Sequence, residues 1–316
     1  MVTFQPRDLM HPLDRSARSA LESVPLLQTA VAAWGRLAGD RTSKSFLLAN
    51  AIRLGPRQLP EFYRMLPPVC DALGIRVPEL YLMTGPANAM TVAPGEPAIV
   101  LFSGLLENLD LDEIEAVIAH ECGHIMFDHV LYSEMANALT SMTAVLLPKP
   151  ARLAILPVEE ALLNWYRKSE LSADRAAAVA CRGGADAMKR AIFHMIGVPK
   201  WLPGNISIEE FDRQVEEFDA YKSSSLWNKL VNARLQSMAP THPMPAARIK
   251  YLLDWTRSDS FRILEKAVTD QRKIGLRCRQ CHSRMDAAWR FCQSCGATAV
   301  IAIEGSATPA LEGPTL

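Results

Sequence analysis

Residues 120–124 read His-Glu-Cys-Gly-His, an H-E-x-x-H pattern. Two histidines four apart on a helix lie one above the other on a single face, so both imidazoles can reach one metal ion. Glu121 follows His120 by about 100° of helical rotation, which sets its carboxylate beside the metal, near enough to hold a metal-bound water. The chemistry this allows is zinc-assisted hydrolysis. A pattern of three fixed positions in five also arises by chance, and a histidine on a buried helix can simply hydrogen-bond within the core. The surrounding elements therefore have to position the chemistry, and a third ligand has to be found.

The first requirement is met locally. Asp110 followed by Glu113 is a capping-box start, so a helix is expected from Leu111, with Ile114, Val117, Ile118, Ile125 and Met126 at helical spacing. Ahead of it, apolar runs at Glu79–Met83, Met90–Ala93 and Ala98–Phe102 predict strands, the last two joined by a hairpin turn at Pro94-Gly95-Glu96-Pro97. A small antiparallel sheet would cover one side of the site, and its exposed edge could accept an extended peptide as an added strand. Earlier still, helices are expected near Asp14–Glu22, Leu26–Leu37 and Pro60–Leu73, the last kinked at Pro67-Pro68. His11 reads as a surface or capping histidine rather than a ligand.

Beyond the metal helix, the pattern predicts a mixed helix over 133–147, ended by Pro148-Lys149-Pro150, and a second from Pro157 to about Cys181, stopped by Gly183-Gly184. The second carries Glu170 and Asp174 one turn apart. One carboxylate can ligate the metal while the other fixes a ligand imidazole; the same spacing also describes a solvated acidic face. Further helices are expected over Ser207–Tyr221, Leu226–Gln236 and Arg257–Thr269. Between the last two, Thr241-His242-Pro243 places His242 in a loop, where a histidine is freer to serve a site than to fill a core.

Several of these pieces recur in order: His11-Pro12-Leu13-Asp14, Asn88-Ala89, Gly104-Leu105-Leu106, His120 to His124, Arg167 through Asp174, and Thr241-His242-Pro243 with Arg248. On them the chain resembles, over about residues 11–256, the HtpX-like and CAAX-prenyl-protease type of zinc metallopeptidase (peptidase family M forty-eight). The resemblance implies a gluzincin, mainly helical (α+β) with a small sheet. It makes Glu170 the third zinc ligand, Asp174 the partner of a ligand histidine, and His242 a stabiliser of the oxyanion. Glu121 would then act as general base and pass its proton to the leaving amine. Two departures stand out. Many relatives carry transmembrane helices, whereas the longest charge-free stretches here, residues 23–35 and 135–148, fall short of the ~20 apolar residues a span needs. Met90-Thr91 stand where relatives more often have Phe and Ala.

Composition sets the rest. The chain has 316 residues, 49% hydrophobic and 22% charged, with 34 basic against 34 acidic side chains. The overall charge therefore argues for no particular polyanionic or polycationic partner. No signal peptide is read at the N-terminus, and the expected location is cytoplasmic. Of seven cysteines, Cys70, Cys122 and Cys181 sit singly in apolar helical patterns and read as packing residues. The other four form Cys278-x-x-Cys281 and Cys292-x-x-Cys295, ten residues apart, the spacing of a structural tetrahedral zinc in a zinc ribbon. Residues 271–296 carry six basic side chains against Asp286, a local excess that describes first a solvated small domain, and otherwise a contact for an acidic surface or protein partner, with nucleic acid the weaker option.

The expected organisation is a metallopeptidase domain over 1–256, a connecting helix over 257–273, a zinc ribbon over 274–298 and a disordered tail over 299–316. The function read from these residues is a zinc endopeptidase acting on polypeptides, in a protein quality-control setting, with one catalytic and one structural Zn2+. The alternative is a catalytically idle scaffold working through the ribbon; the intact Glu121 counts against it, since an idle site has no need of a general base.

Overall fold

The computed structural model describes residues 5–23, 40–93, 95–136, 149–197, 202, 206–223, 245–272, 276–278, 284–285, 291–292, 297 and 301–303. Its centre is the helix Leu111–Met126. Asp110 caps it, accepting from the Glu113 amide at 2.9 Å, while the Glu113 carboxylate accepts from the Asp110 amide at 3.0 Å. Thirteen of its sixteen residues are buried, Glu113, Glu115, His120, Glu121 and His124 among them. A helix enclosed on nearly every side differs from the half-exposed one its apolar periodicity alone describes, and it forces every polar group on it to find a partner.

Those partners come from a helical shell. The long helix Lys149–Ala180 lies along the central helix, and Gly184–Met195 and Leu66–Leu73 pack beside it. Gly123 sets the approach of the long helix: a Cβ there would stand 2.9 Å from the Ala176 Cβ and 3.0 Å from the Ala173 Cα. The alanines from Ala176 to Ala180 carry the same close packing onward as part of the main core. A pair of helices this close brings short side chains on one within reach of the other, which is what a metal site between them requires.

The sheet has four strands, β1 (Ile52–Leu54), β2 (Glu79–Met83), β3 (Ala89–Val92) and β4 (Ala98–Phe102), in the order β1-β2-β4-β3. β3 and β4 form the expected antiparallel hairpin. β4, however, pairs with β2 in parallel, so the sheet is mixed rather than antiparallel. Residues 84–88 carry the chain past one strand's width and reverse it, and the hairpin returns β4 into the gap. β1, antiparallel to β2, went unread because three residues with one buried side chain give no periodic signal.

Helix boundaries moved where proline was taken as a break. Pro60–Leu73 is two helices, Pro60–Tyr63 and Leu66–Leu73. The break lies at Arg64-Met65, and Pro67-Pro68 sit in the first turn of the second helix, where the missing N–H costs nothing. The long helix starts at Lys149 and runs through Pro157 instead of starting there. The helix Asp40–Asn50 was not foreseen. Ile208–Ser223 is capped by Ser207, whose hydroxyl accepts from the Glu209 and Glu210 amides. The expected helices over Leu26–Leu37 and Leu226–Gln236 lie outside the described residues, as does most of the one over 133–147, of which 133–136 is helical, continuing a helix from 129. Asp259–Arg272 packs on Leu66–Leu73, with Val268 fully buried. Leu276–Cys278 pairs with Arg284–Met285 and with Ile301–Ile303 in a separate small sheet.

Candidate metal centre

The central and long helices bring His120, His124 and Glu170 together in the interior. The two Nε2 atoms are 3.2 Å apart, and each stands 3.4 Å from an oxygen of the Glu170 carboxylate. Zinc holds imidazole nitrogen and carboxylate oxygen at about 2.0–2.2 Å, so two corners of its tetrahedron are separated by roughly 3.4 Å. The three separations match that value, and two imidazoles with a carboxylate are a donor set zinc accepts. The cluster fits a catalytic metal site with three protein donors and one position left open.

Fully buried Glu170 and nearly buried His120 would be costly alone. On the His120 side the cost is met by charge. His120 Nδ1 lies 3.0 Å from Asp174 Oδ1, and Arg248 grips the same carboxylate twice, through Nε at 2.9 Å and Nη2 at 2.5 Å. Arg248 Nη1 also reaches Glu170 Oε2 at 3.2 Å. Burial works to raise the Asp174 pKa, but the guanidinium outweighs it and holds the carboxyl below its ordinary value. Burial likewise works against charge on His120, yet Asp174 and then Glu170 prevail and lift it to about 9. Asp174 stands where a carboxylate fixes the tautomer, leaving Nε2 to face the other donors.

The His124 side is built differently. His124 Nδ1 is 3.0 Å from Nδ1 of His129, whose Nε2 faces Asp14 Oδ2 at 3.2 Å. If His124 offers its Nε2 lone pair, its Nδ1–H donates to His129, and His129 in turn carries its proton on Nε2, toward Asp14. Burial pushes His129 down to about 4, so it is neutral, as this relay requires. Ser172 donates to Asp14 Oδ2 at 2.5 Å and accepts from the His11 amide at 2.9 Å. His11 caps the helix Pro12–Glu22 by accepting from the Leu13 amide, but it is buried, not a surface residue. His129 and Asp14 were not assigned roles from sequence. The visible signal was a third histidine five residues beyond the pair, and the H-P-L-D segment taken only as a likeness.

Glu121 borders a cleft of about 180 Å³, whose lining includes Thr91, His124, Val130, Ser133, Tyr166 and Glu170. Its Oε2 accepts from the Thr91 hydroxyl at 2.6 Å. The departure seen in sequence at Met90-Thr91 therefore falls against the expected general base. Burial, then the Glu170 and Glu121 carboxylates, raise the Tyr166 pKa, so its hydroxyl stays protonated beside the cleft. Cys122 faces the core, 3.8 Å from Cys70 Sγ. His242 lies outside the described residues, as do Cys281 and Cys295; Cys278 and Cys292 are both buried. No helix among the described residues is long and apolar enough to cross a membrane.

Comparison with known proteins agrees with this geometry. The model of Peptidase family M48 matches residues 58–256. The chain is similar to Plastoglobule-localized metallopeptidase 48, chloroplastic, of Arabidopsis thaliana, 30% identical over 265 residues, which covers 82% of this chain and 75% of that one. It is similar also to the Protease HtpX homolog of Burkholderia mallei (strain SAVP1), 26% identical over 236 residues, covering 67% of this chain and 80% of that one. The homolog from Burkholderia pseudomallei (strain 668) gives the same figures. No solved structure matches.

Proposed function

The chain belongs to peptidase family M48, and from that premise we propose that it is a zinc-dependent endopeptidase with His120, His124 and Glu170 as metal ligands and Glu121 as general base. The observation that carries the proposal is the donor set: three buried side chains at separations of 3.2, 3.4 and 3.4 Å, with a carboxylate of the same helix bordering the cleft they open on. Bound zinc polarises a carbonyl and lowers the pKa of a water to about 7. Asp174 and the His129 relay hold the two imidazoles in the tautomer that ligation needs. Glu121, with Oε2 held by Thr91, receives the water's proton and returns it to the leaving amine. The substrate is an extended polypeptide lying along β3. His242 is the proposed stabiliser of the oxyanion.

Cys278, Cys281, Cys292 and Cys295 are proposed to hold a second, structural zinc, with the basic segment around them as a docking point for an acidic protein surface. A quality-control role on unfolded polypeptides is the proposed setting, and the cytoplasm the proposed location. The plastoglobule in the Arabidopsis relative's name makes cell fractionation the check on that location.

The test is metal analysis combined with a casein-cleavage assay on wild type and Glu121→Gln. The variant keeps all three donors, so zinc content should be unchanged while cleavage drops at least 100-fold, the scale of a lost general base. Cleavage by Glu121→Gln at the wild-type rate means the mechanism is wrong.

A further inference from the structure

β3 ends the sheet, and among the described residues no strand lies on its far side. Its register shows which backbone groups point there. The Phe102 amide donates to the Asn88 carbonyl at 3.0 Å, so those two residues form a hydrogen-bonded pair in the ladder. In an antiparallel ladder hydrogen-bonded and non-hydrogen-bonded pairs alternate. Met90 with Val100 and Val92 with Ala98 are therefore the next bonded pairs, while Ala89 opposite Leu101 and Thr91 opposite Ile99 are not. The N–H and C=O of Ala89 and Thr91 consequently face the open edge, two residues apart, the spacing at which an added strand exchanges hydrogen bonds.

Thr91 has a second attachment. Its side chain leaves the strand toward the central helix, where the hydroxyl lies 2.6 Å from Glu121 Oε2 and 3.3 Å from the Glu121 carbonyl oxygen. A hydroxyl has one proton, and the shorter contact takes it: Thr91 donates to the carboxylate. Among the described residues no other group hydrogen-bonds that carboxylate. One residue thus joins the backbone edge available to a peptide and the carboxylate beside the metal cluster.

We infer that Thr91 is a positioning residue: its hydroxyl locks the Glu121 carboxylate by Oε2 and ties the orientation of the base to the strand that would hold the substrate. The inference rests on the peptidase reading above. With Oε2 occupied as an acceptor, Oε1 is the oxygen left to take a proton, and rotation of the carboxylate is restrained before substrate arrives. The β-branched side chain suits both tasks, because its χ1 is restricted. Without the hydroxyl, the carboxylate is free to swing into the cleft, and a base displaced by about 1 Å can cost roughly 100-fold in rate.

The experiment compares wild type, Thr91→Val and Thr91→Ser as full-length, zinc-loaded chains. Valine keeps the shape and removes the donor; serine restores the donor without the methyl. On a short fluorogenic peptide, Thr91→Val should lose about 10- to 100-fold in kcat with KM within about twofold, while zinc retention against a chelator is unchanged. Thr91→Ser should recover to within about threefold of wild type. Crystal structures of the three give a readout independent of turnover: Glu121 Oε2 within hydrogen-bond distance of residue 91 in wild type and Ser, displaced in Val. Wild-type kcat in Thr91→Val overturns the inference, and so does a serine variant as slow as the valine one. A zinc-loaded wild type that cleaves no peptide overturns the peptidase reading instead. The crystals still decide the role of Thr91 in that case, since an unmoved carboxylate in the valine variant excludes it.

Discussion

The two imidazoles of the cluster stand 3.2 Å apart, yet they are held by different chemistry. Behind His120 is an anion locked by a cation, Asp174 between the imidazole and Arg248. Behind His124 is a neutral imidazole, His129, with the carboxylate one residue further out at Asp14. Either arrangement can fix a tautomer. They differ in what else they touch. Arg248 also reaches Glu170, so the His120 side ties an imidazole, two carboxylates and a guanidinium into one buried network. The His124 side reaches the helix Pro12–Glu22 directly at Asp14, whose carboxylate in turn accepts from Ser172 of the long helix. Buried charges are costly unless fully compensated, so the network with more of them should be the more sensitive to losing one member.

Arg248→Met tests that asymmetry most severely. It leaves Asp174 and Glu170 buried without the guanidinium, and removing one partner of a buried ion pair costs about 3–5 kcal/mol. Urea unfolding of the metal-free chain should show a loss of that size. His129→Gln, which removes no net charge, should lose markedly less in the same measurement. Equal losses would mean that the two sides are energetically alike despite their different charge.

Metal affinity sharpens the contrast. Substituting a group that orients a ligand imidazole typically costs 10- to 100-fold in affinity. Asp174→Asn should fall near 100-fold, since it removes the charge in direct contact with His120. His129→Gln should fall near tenfold, since a glutamine oxygen can still accept from His124. Competition with a zinc chelator measures both. A reversal of the order would place the dominant support on the His124 side.

How far the sequence revealed this site follows the range of each signal. The helix Leu111–Met126 was legible because its cap, its periodicity and its H-E-x-x-H are all local. Asp174 came as a partner from the family resemblance alone, because its spacing one turn from Glu170 describes a solvated acidic face equally well; the contact with His120 depends on how the two helices pack. His129 was not legible, because its contact with His124 depends on the turn at Phe127-Asp128, where Asp128 takes the left-handed φ of 56°. Asp14 was not, because its link to Ser172 spans 158 residues and leaves no local trace. The sheet was legible as a hairpin but not in its parallel pairing, which arises only when β4 enters beside β2. Gly123 carries no signal of its own in the sequence; its reason is the backbone of the long helix 3.0 Å from where a Cβ would be.

The gentlest perturbation substitutes nothing: pH should pull the two sides in opposite directions in the metal-free chain. An exposed histidine titrates near 6.5 in the unfolded state. On the His124 side, burial holds His129 down at about 4, and burial followed by Arg175 does the same to His11. Between pH 6.5 and 4 the unfolded chain therefore binds protons that the folded chain refuses, and stability falls as pH falls. Burial also opposes charge on His120, but Asp174 and Glu170 raise it to about 9. Between pH 6.5 and 9 the folded chain keeps a proton that the unfolded chain has lost, so stability falls as pH rises. Asp14 and Asp174, both held below their ordinary 3.8, act at more acid pH and leave this window clear. Thermal midpoints of the metal-free chain should therefore peak near pH 6.5. His120→Gln should flatten the alkaline limb only. His129→Gln should shrink the acid limb only, and not abolish it, because His11 still contributes. If either substitution alters the opposite limb instead, charge is not divided between the two sides as their contacts indicate.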